Sequence, residues 1–283
     1  MEMRFPIILL LFIVFSTSLG LSWGSWAHRK INGKAVDNLP NAMKVFYEIN
    51  REWISEHSSD ADEVRGSNSE EEPHHYINID YYGVYPFEDL PHNYNDAVNK
   101  YSSDTLLKMG TIVWHIPVVL ESLTVSMREK NKEQILKWSA WLGHYVGDAH
   151  QPLHVVLNYN GQLTNQKGIH SRFESIMVER FGSGYLFPTG EAEYVQNPQE
   201  ESFRIVLESY NLVDSILHSE KIVQQQTVEK EMKPITLFND AYYSQLNKLI
   251  GSVAQSRISQ SIQRLSNFWY TAWINAGKPE FPF

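Results

Sequence analysis

The stretch WLGHYVGDAHQPLH, residues 141–154, determines how the fold of this chain is interpreted. Apolar side chains recur in it at the spacing of one helical face; they are Trp141, Leu142, Tyr145 and Val146. His144 and Asp148 stand four residues apart, so on a helix they project from the same face, one turn from each other. The stretch therefore predicts a core helix that also carries two polar side chains able to bind a single ion together.

His154 follows Asp148 by six residues, and Pro152 between them interrupts the helical pattern. The chain can turn there and bring His154 back toward the helix. A single histidine on an apolar face is usually a core residue with satisfied hydrogen bonds. Two histidines and an aspartate in this arrangement favour a metal site instead. The chain has no cysteine, so a zinc site in it must use His, Asp and Glu.

Three other stretches supply side chains of the same kinds. GIHSRFES places His170 and Glu174 four residues apart at the predicted start of a helix. WGSWAH places His28 five residues after Trp23. DADEVRGSNSEEEPHHYINID contributes four further candidates, which are Asp60, Asp62, His74 and His75. Its remaining acidic side chains, Glu63 and Glu70 to Glu72, are interpreted as a solvated acidic loop.

The charge balance excludes one class of function. The chain has 283 residues and a formal net charge of −9, from 24 basic and 33 acidic residues. Such a balance disfavours a protein that wraps duplex nucleic acid with a basic face. It still allows an enzyme that holds phosphate through bound cations, because those cations reverse the local field.

The first residues have the pattern of a secretory signal peptide. Arg4 precedes an apolar run over residues 5–15, and the small residues Gly20 and Ser22 come shortly before Trp23. We expect cleavage after Ser22, which gives a signal peptide over 1–22 and a mature domain over 23–283, secreted or periplasmic. The alternative is an uncleaved membrane anchor, for which the run is short. No later segment has the length of a transmembrane helix, so we expect no stable membrane anchor.

Helical periodicity dominates the rest of the chain, and few stretches alternate as strands do. The predicted helical regions cover residues 31–39, 41–54, 101–130, 132–146, 171–180, 200–219 and 240–276. Pro117 is a candidate kink in the longest central region. Residues 58–72 are predicted to form a loop. No repeat, low-complexity tract or linker divides the chain, so the prediction is one all-α, multi-helix domain.

Five motifs in order carry a resemblance to a known family. They are WGSWAH, ADEVR, HHYIN, HYVGDAHQPLH and GIHSRFE, and they run along most of the mature chain. The chain resembles the superfamily of zinc-dependent phospholipases C and single-strand-specific nucleases, which includes fungal nucleases of the S1/P1 type. The resemblance implies an all-α fold around a trinuclear zinc cluster that hydrolyses phosphate esters.

The resemblance also implies a set of metal ligands. His75, His144 and Asp148, helped by Asp62, would bind one zinc ion. His154, His170 and Glu174 would bind a second. Trp23, through its amino and carbonyl groups, and His28 would bind the third, with Asp148 as a bridge. Asp62 would orient or deprotonate the attacking water, and Asp60 is the alternative for that role. The other histidines, His74, His115 and His150, have no counterpart as ligands.

The motifs leave two substrates open. Glu174, where the nucleases usually have Asp, and the short interval from His154 to His170 are similar to phospholipase C. ADEVR and HQPLH resemble the nucleases at least as closely. Tyr76 keeps an aromatic position that the nucleases use for stacking, although it could also simply pack beside the cluster. Asn78 stands where those nucleases have a base-recognising Asp.

We therefore expect a secreted zinc-dependent phosphodiesterase, and we favour a phospholipase C-like activity. A single-strand-specific nuclease or 3′-nucleotidase is the first alternative. A secreted helical protein with a merely structural metal site is the second. The expected partner is a phosphate-ester substrate, either a phospholipid or a single-stranded nucleic acid or nucleotide, and no protein partner is expected.

Overall fold

The computed structural model describes residues 23–231 and 238–282. The predicted signal peptide over residues 1–22 lies outside the described residues. Within the described ranges the chain forms helices and no strand, which confirms the prediction of an all-α fold. The α-helices are α1 Ser25–Ala35, α2 Asn41–Ile49, α3 Arg51–Glu56, α4 Asp60–Ser67, α5 Tyr94–Tyr101, α6 Ser103–Met109, α7 Ile112–Arg128, α8 Lys132–His150, α9 Ile169–Ser171, α10 Val178–Phe181, α11 Pro198–Tyr210, α12 Val213–Glu231 and α13 Asp240–Asn275.

Short turns of tighter or wider helix connect several of these elements. The 3₁₀ turns include His57–Ser59, Glu72–His75, Ile79–Tyr82 and Pro152–Val155. A π-helical turn, Arg172–Met177, joins α9 to α10. Wide turns of this kind are often found at functional sites. Two of these turns, Glu72–His75 and Pro152–Val155, carry predicted ligands, as does the π-helical turn.

Helix α8 lies at the centre of the molecule. It packs against α1, α7, α11 and α13, and nearly all of its second half is buried. It continues four residues past the predicted end at residue 146 and stops at His150, just before the extended Gln151 and Pro152. Because this part of the helix is buried on all sides, its polar residues His144, Asp148 and His150 lie inside the protein together with its apolar ones.

Two glycines let α1 approach α8 closely. A Cβ on Gly143 would overlap the side-chain amide of Asn32, and one on Gly147 would lie 3.1 Å from the His28 ring. Asn32 uses its amide nitrogen to donate to the carbonyl oxygens of Ile54, at 3.2 Å, and Ala140, at 3.0 Å. This contact brings His28 on α1 beside the polar residues of α8.

The predicted helical region over residues 101–130 is broken. Ser102 (φ 72°) and Gly110 (φ 91°) take left-handed backbone conformations, and α6 meets α7 at 92°. Glycine is required at position 110 because a Cβ there would overlap the Tyr76 carbonyl. Pro117 lies inside α7 and does not end it. The turn at Gly110 holds the segment around Tyr76, and Asn78 N donates to Met109 O at 2.6 Å.

Other predicted boundaries also need correction. The region over residues 41–54 divides at Asn50, and the region over residues 200–219 divides between Tyr210 and Val213. The predicted loop over residues 58–72 contains α4, whose first turn holds Asp60, Asp62 and Glu63. Acidic side chains at a helix N-terminus interact favourably with the helix dipole, so the acidic run favours this helix rather than a loop.

The C-terminal helix α13 has 36 residues and is therefore roughly 54 Å long. It packs along α8 and α12, and Trp269 Nε1 donates to Ser139 O of α8 at 3.2 Å.

Across residues 23–231 and 238–282, a single helix with the length and apolarity to cross a membrane is not found. Only α6 and α7 taken together, across their bend, meet that criterion.

Candidate metal centre

Eight predicted side chains converge on one buried region, although they come from distant parts of the chain. Each of them except Asp62 is almost inaccessible to solvent, and the side chain of Asp62 is 17% exposed. They are His28 on α1, Asp62 on α4, His75 on its 3₁₀ turn, His144 and Asp148 on α8, His154 on its 3₁₀ turn, His170 on α9 and Glu174 on the π-helical turn. Among the described residues, these side chains form three groups able to hold a metal ion.

The first group is formed by Asp62, His75, His144 and Asp148. His75 Nδ1 lies 3.0 Å from both His144 Nε2 and Asp148 Oδ2, and the last two atoms are 3.2 Å apart. Asp62 Oδ1 lies 3.5 Å from His75 Nδ1 and 3.6 Å from His144 Nε2. Ligands placed tetrahedrally at ~2.0–2.1 Å from zinc are roughly 3.3 Å from one another. The separations in this group are therefore those of atoms that surround one ion.

The second group is formed by His154, His170 and Glu174. The two histidines approach through Nε2 atoms that are 3.1 Å apart. Glu174 Oε2 lies 2.9 Å from His170 Nε2 and 3.5 Å from His154 Nε2. Among the described residues, no hydrogen bond reaches the other oxygen of this buried carboxylate, Oε1. These three residues again have the spacing of ligands around one ion.

The third group joins His28 to His144 and Asp148. His28 Nε2 lies 3.4 Å from Asp148 Oδ1, and its ring stacks on that of His144 with centroids 4.2 Å apart. Asp148 thus directs Oδ2 to the first group and Oδ1 to His28. A carboxylate in this position can join two metal ions.

Trp23 lies in the core beside the second group. Its indole is buried and packs against the Phe173 ring, with centroids 5.8 Å apart. A Cβ on the next residue, Gly24, would lie 3.0 Å from the Ser175 hydroxyl oxygen. The predicted start of the mature chain is therefore packed against the turn that carries Glu174. The role of its amino and carbonyl groups as ligands stays a prediction.

Backbone carbonyls fix the histidine tautomers. Nδ1 of His144 donates to Ser58 O at 2.9 Å, and Nδ1 of His154 donates to His75 O at 2.9 Å. Nδ1 of His170 donates to Tyr159 O at 3.1 Å. When these rings are neutral, as metal ligands must be, each proton is on the outer nitrogen and the lone pair of Nε2 points inward.

The inward direction of these lone pairs shows that the second group fits a cation. The inward lone pairs of His154 and His170 face each other at 3.1 Å, beside the Glu174 carboxylate. Two lone pairs and an anion repel at that distance unless a positive charge lies among them. A divalent cation meets this requirement with the ligand types that zinc accepts.

The charges of the first group are those of a site that binds cations. Burial opposes protonation of His144, but the carboxylates of Asp148 and Asp62 outweigh it and raise the pKa of His144 to about 9. Burial likewise opposes ionisation of Asp148. Positive charge on His144 and His154 nevertheless holds the pKa of the Asp148 carboxyl well below its usual range. Asp148 is therefore a buried anion that needs positive charge around it.

The structure separates the two aspartates that the sequence left open. Asp60 points away from the cluster, where its carboxylate pairs with His57 Nδ1 at 2.7 Å on the half-exposed side of the helix. Asp62 points toward His75 and His144, and Arg65 lies 3.3 Å from the same carboxylate oxygen. Only Asp62 of this pair lies within reach of the metal groups.

Glu71 contacts the metal groups, although the sequence does not predict it as a site residue. The interpretation of the acidic run as a solvated loop is wrong for this side chain, which is only 12% exposed. Its Oε1 accepts a hydrogen bond from Tyr145 OH and lies 3.5 Å from His75 Nε2, the outer nitrogen of that ligand. A carboxylate behind a ligating histidine orients the ring and increases its basicity. The spacing of four residues to His75 was the available signal.

The histidines without a predicted role as ligands lie outside the three groups. The rings of His74 and His115 stack with centroids 3.7 Å apart. His150 is fully buried, where its Nδ1 donates to Val146 O at 2.7 Å and Nε2 accepts from Arg264 at 3.2 Å. Burial and the neighbouring guanidinium groups keep the pKa of His150 well below its usual value, so it is neutral.

A cleft of about 320 Å³ opens onto the metal-facing residues His75, His154 and His170. Its walls combine two aromatic rings, an amide, two basic side chains and one carboxylate, which are Tyr76, Tyr159, Asn78, Arg65, Lys108 and Glu72. The Tyr76 hydroxyl donates to Lys108 O at 3.3 Å. A cleft with these walls can accept an anion beside a flat apolar group.

Comparison with protein families identifies a match. Residues 23–272 match the family model described as S1/P1 Nuclease. The matched range contains every residue of the three metal groups and the residues that line the cleft. A search of curated proteins finds no significant match.

Proposed function

The chain belongs to the S1/P1 nuclease family, and from this membership we propose that it cleaves single-stranded nucleic acid and nucleotides at a cluster of three zinc ions. Members of this family are metal-dependent phosphodiester hydrolases. The family match supports the nuclease alternative better than the expected lean toward phospholipase C. That lean depended on Glu174 and on the interval from His154 to His170, which describe a metal group rather than the substrate pocket.

The observation that carries the proposal is the inward arrangement of His154, His170 and Glu174 below an open cleft. A structural metal site is normally closed by its ligands, whereas a catalytic site keeps a position open to substrate. Here the cleft reaches both histidines. This accessibility favours a catalytic role over the alternative of a secreted binding protein with a structural metal site.

We assign the ligands as the three groups suggest. Asp62, His75, His144 and Asp148 hold the first ion, and His154, His170 and Glu174 hold the second. His28 and Asp148, with the amino and carbonyl groups of Trp23, hold the third. Bound there, the ions would neutralise phosphate charge and increase the acidity of the attacking water.

Asp62 is the proposed general base. It is the most exposed carboxylate of the cluster and contacts the first group from the α4 side. Its carboxylate can accept the proton of the attacking water, or hold that water in line with phosphorus. Arg65, 3.3 Å from the same carboxylate, keeps Asp62 charged and in place.

The walls of the cleft support the proposed preference for single strands. A base of an unpaired strand can stack on Tyr76 or Tyr159, while Arg65 and Lys108 attract the backbone. The amide of Asn78 offers both a donor and an acceptor to a base edge. A duplex cannot present an unstacked base to these rings, and the net charge of −9 disfavours broad contact with its two phosphate backbones.

A substrate panel tests the proposal. The zinc-loaded mature protein would be given single-stranded DNA, single-stranded RNA, duplex DNA, a 3′-mononucleotide and phosphatidylcholine vesicles. We expect nucleotide release from the single strands at least about tenfold faster than from duplex, and no release of phosphocholine. His170→Ala should abolish the activity. The matched change His92→Ala, at a half-exposed histidine paired with Glu200, should leave it unchanged. Phosphocholine release without nucleotide release would overturn the proposal.

A further inference from the structure

Gln151 connects two ligands of the second metal group. It is fully buried at the point where α8 ends and the turn Pro152–Val155 begins. Its side-chain oxygen accepts from Leu153 N at 2.7 Å, inside the turn that carries His154. Its side-chain nitrogen donates to Glu174 Oε2 at 2.8 Å. One side chain thus contacts both the turn of one ligand and the carboxylate of another.

The contact matters because the second group is assembled from separate segments. His154 and Glu174 are twenty residues apart in sequence, and residues 156–168 between them are irregular. Glu174 Oε2 faces the Nε2 atoms of His154 and His170. The Gln151 amide donates to this same oxygen, which restricts the orientation of the carboxylate.

The chemistry of an amide suits this position. A primary amide donates a hydrogen bond without a charge, so Glu174 keeps its full negative charge for the cation. A lysine or arginine would instead neutralise Glu174 and compete with the metal for it. A carboxylate would repel it. Glutamine is therefore a residue that can orient this ligand without weakening it.

We propose that Gln151 is a positioning residue for the second metal ion, which it stabilises by fixing the Glu174 carboxylate beside His154 and His170. The inference rests on the proposed function, because it requires that this group bind metal. Residues that orient metal ligands typically change metal affinity by about 10–100-fold when replaced.

Two variants separate the two hydrogen bonds of Gln151. Gln151→Met removes both with little change in volume. Gln151→Glu keeps the acceptor for Leu153 N but loses the donor to Glu174. Asn38→Leu is the matched control, because Asn38 is a buried amide that donates to Ser266 Oγ at 3.2 Å and contacts no residue of the metal groups. Zinc content would be measured by elemental analysis after dialysis, and affinity by titration of the metal-free protein.

We expect both Gln151 variants to lose one zinc equivalent, or to bind it about 10–100-fold more weakly, while the remaining equivalents stay bound. Asn38→Leu should keep all of them. Gln151→Met combined with His170→Ala should lose no more zinc than His170→Ala alone, because both changes affect the same ion. This lack of additivity assigns the effect to the second group rather than to general destabilisation.

Three results would overturn the inference. One is full zinc content and affinity in Gln151→Glu, which would mean that the bond to Glu174 is dispensable. Another is equal zinc loss in Asn38→Leu, which would show a general effect on folding. The third is a wild-type protein that takes up no zinc, which would overturn the proposed function as well. In the first two cases the wild-type protein binds zinc, so the proposed function survives.

Discussion

At the scale of single residues, the cluster depends on which atom of each side chain points inward. His75 presents Nδ1, while His144, His154 and His170 present Nε2, because their outer nitrogens donate to backbone carbonyls. The spacing of His144 and Asp148 predicts that they share a face, and the structure agrees. The spacing of four residues between Glu71 and His75 is a signal in the sequence, whereas spacing could not predict Gln151, because its contact with Glu174 forms only on folding.

Exchange of a carboxylate for an amide at Asp62 tests the general base. Asp62→Asn should lower turnover by about 10²–10⁴-fold while most zinc stays bound, since the other residues of the first group remain. Asp60→Asn is the matched control and should have little effect, because Asp60 contacts His57 away from the cluster. Steady-state rates and zinc content would be measured for both. Normal turnover in Asp62→Asn would remove the assignment.

Asp148→Asn tests the bridging carboxylate. Its two oxygens face different metal groups. Removal of the charge should therefore release more than one zinc ion and abolish nearly all activity. Asp80→Asn, at a carboxylate that accepts from Leu157 N at 2.9 Å outside the cluster, should keep its zinc. Elemental analysis of purified protein measures both. A full zinc complement in Asp148→Asn would contradict the bridging role.

Among the secondary-structure elements, the sequence predicts best the helices whose apolar pattern is set by burial, such as α8 and α13. The boundaries that failed depended on contacts with other segments. The α6–α7 region breaks at Gly110, where the Tyr76 carbonyl lies at the position that a Cβ would take and so requires glycine. Helix α4 forms inside the predicted loop over residues 58–72, and its Asp62 faces the cluster. Neither partner is visible from local periodicity.

The approach of α1 to α8 gives a prediction at this scale. Gly143→Ala should destabilise the protein by about 1–3 kcal/mol, because the added methyl overlaps Asn32 and forces the helices apart. Gly66→Ala is the matched control. Nothing lies within 4 Å of its Cβ position in α4, so the change should stabilise by about 0.4–1 kcal/mol. Denaturant unfolding of both variants would be compared. Equal stability of the two would mean that the close contact is relieved without cost.

At the scale of the whole molecule, the cluster links helices that are distant in sequence. It joins α1, α4, α8 and α9 in a protein with no cysteine, so disulfides cannot supply these connections. The buried apolar side chains packed around α8 form the hydrophobic core, which also holds these helices together. The fold class could be predicted because helical periodicity persists along the chain. The convergence of eight side chains could be expected only through the resemblance to a family.

Removal of metal should therefore destabilise the whole fold. A ligand that binds only the folded state at 1,000 times its dissociation constant contributes about 4 kcal/mol. Chelation should lower the melting temperature of the wild-type protein, and zinc should restore it. His170→Ala, which lacks a ligand of the second group, should show a smaller decrease. Scanning calorimetry measures both, and a melting temperature independent of chelator would contradict a stabilising cluster.

The start of the mature chain gives a further prediction. If cleavage after Ser22 frees the Trp23 amino group for the third ion, exported protein should begin at Trp23. One added alanine before Trp23 should cost one zinc equivalent and most activity. N-terminal sequencing and elemental analysis measure these outcomes. A fully active protein with the extra residue would show that the amino group is not a ligand.

The central claim is that one buried cluster holds three zinc ions below the cleft. Anomalous X-ray scattering at the zinc absorption edge, from crystals of the mature zinc-loaded protein, locates such ions directly. We expect three peaks per chain: one among Asp62, His75, His144 and Asp148, one among His154, His170 and Glu174, and one beside His28. No peak in this region, or zinc bound only elsewhere on the protein, would contradict it.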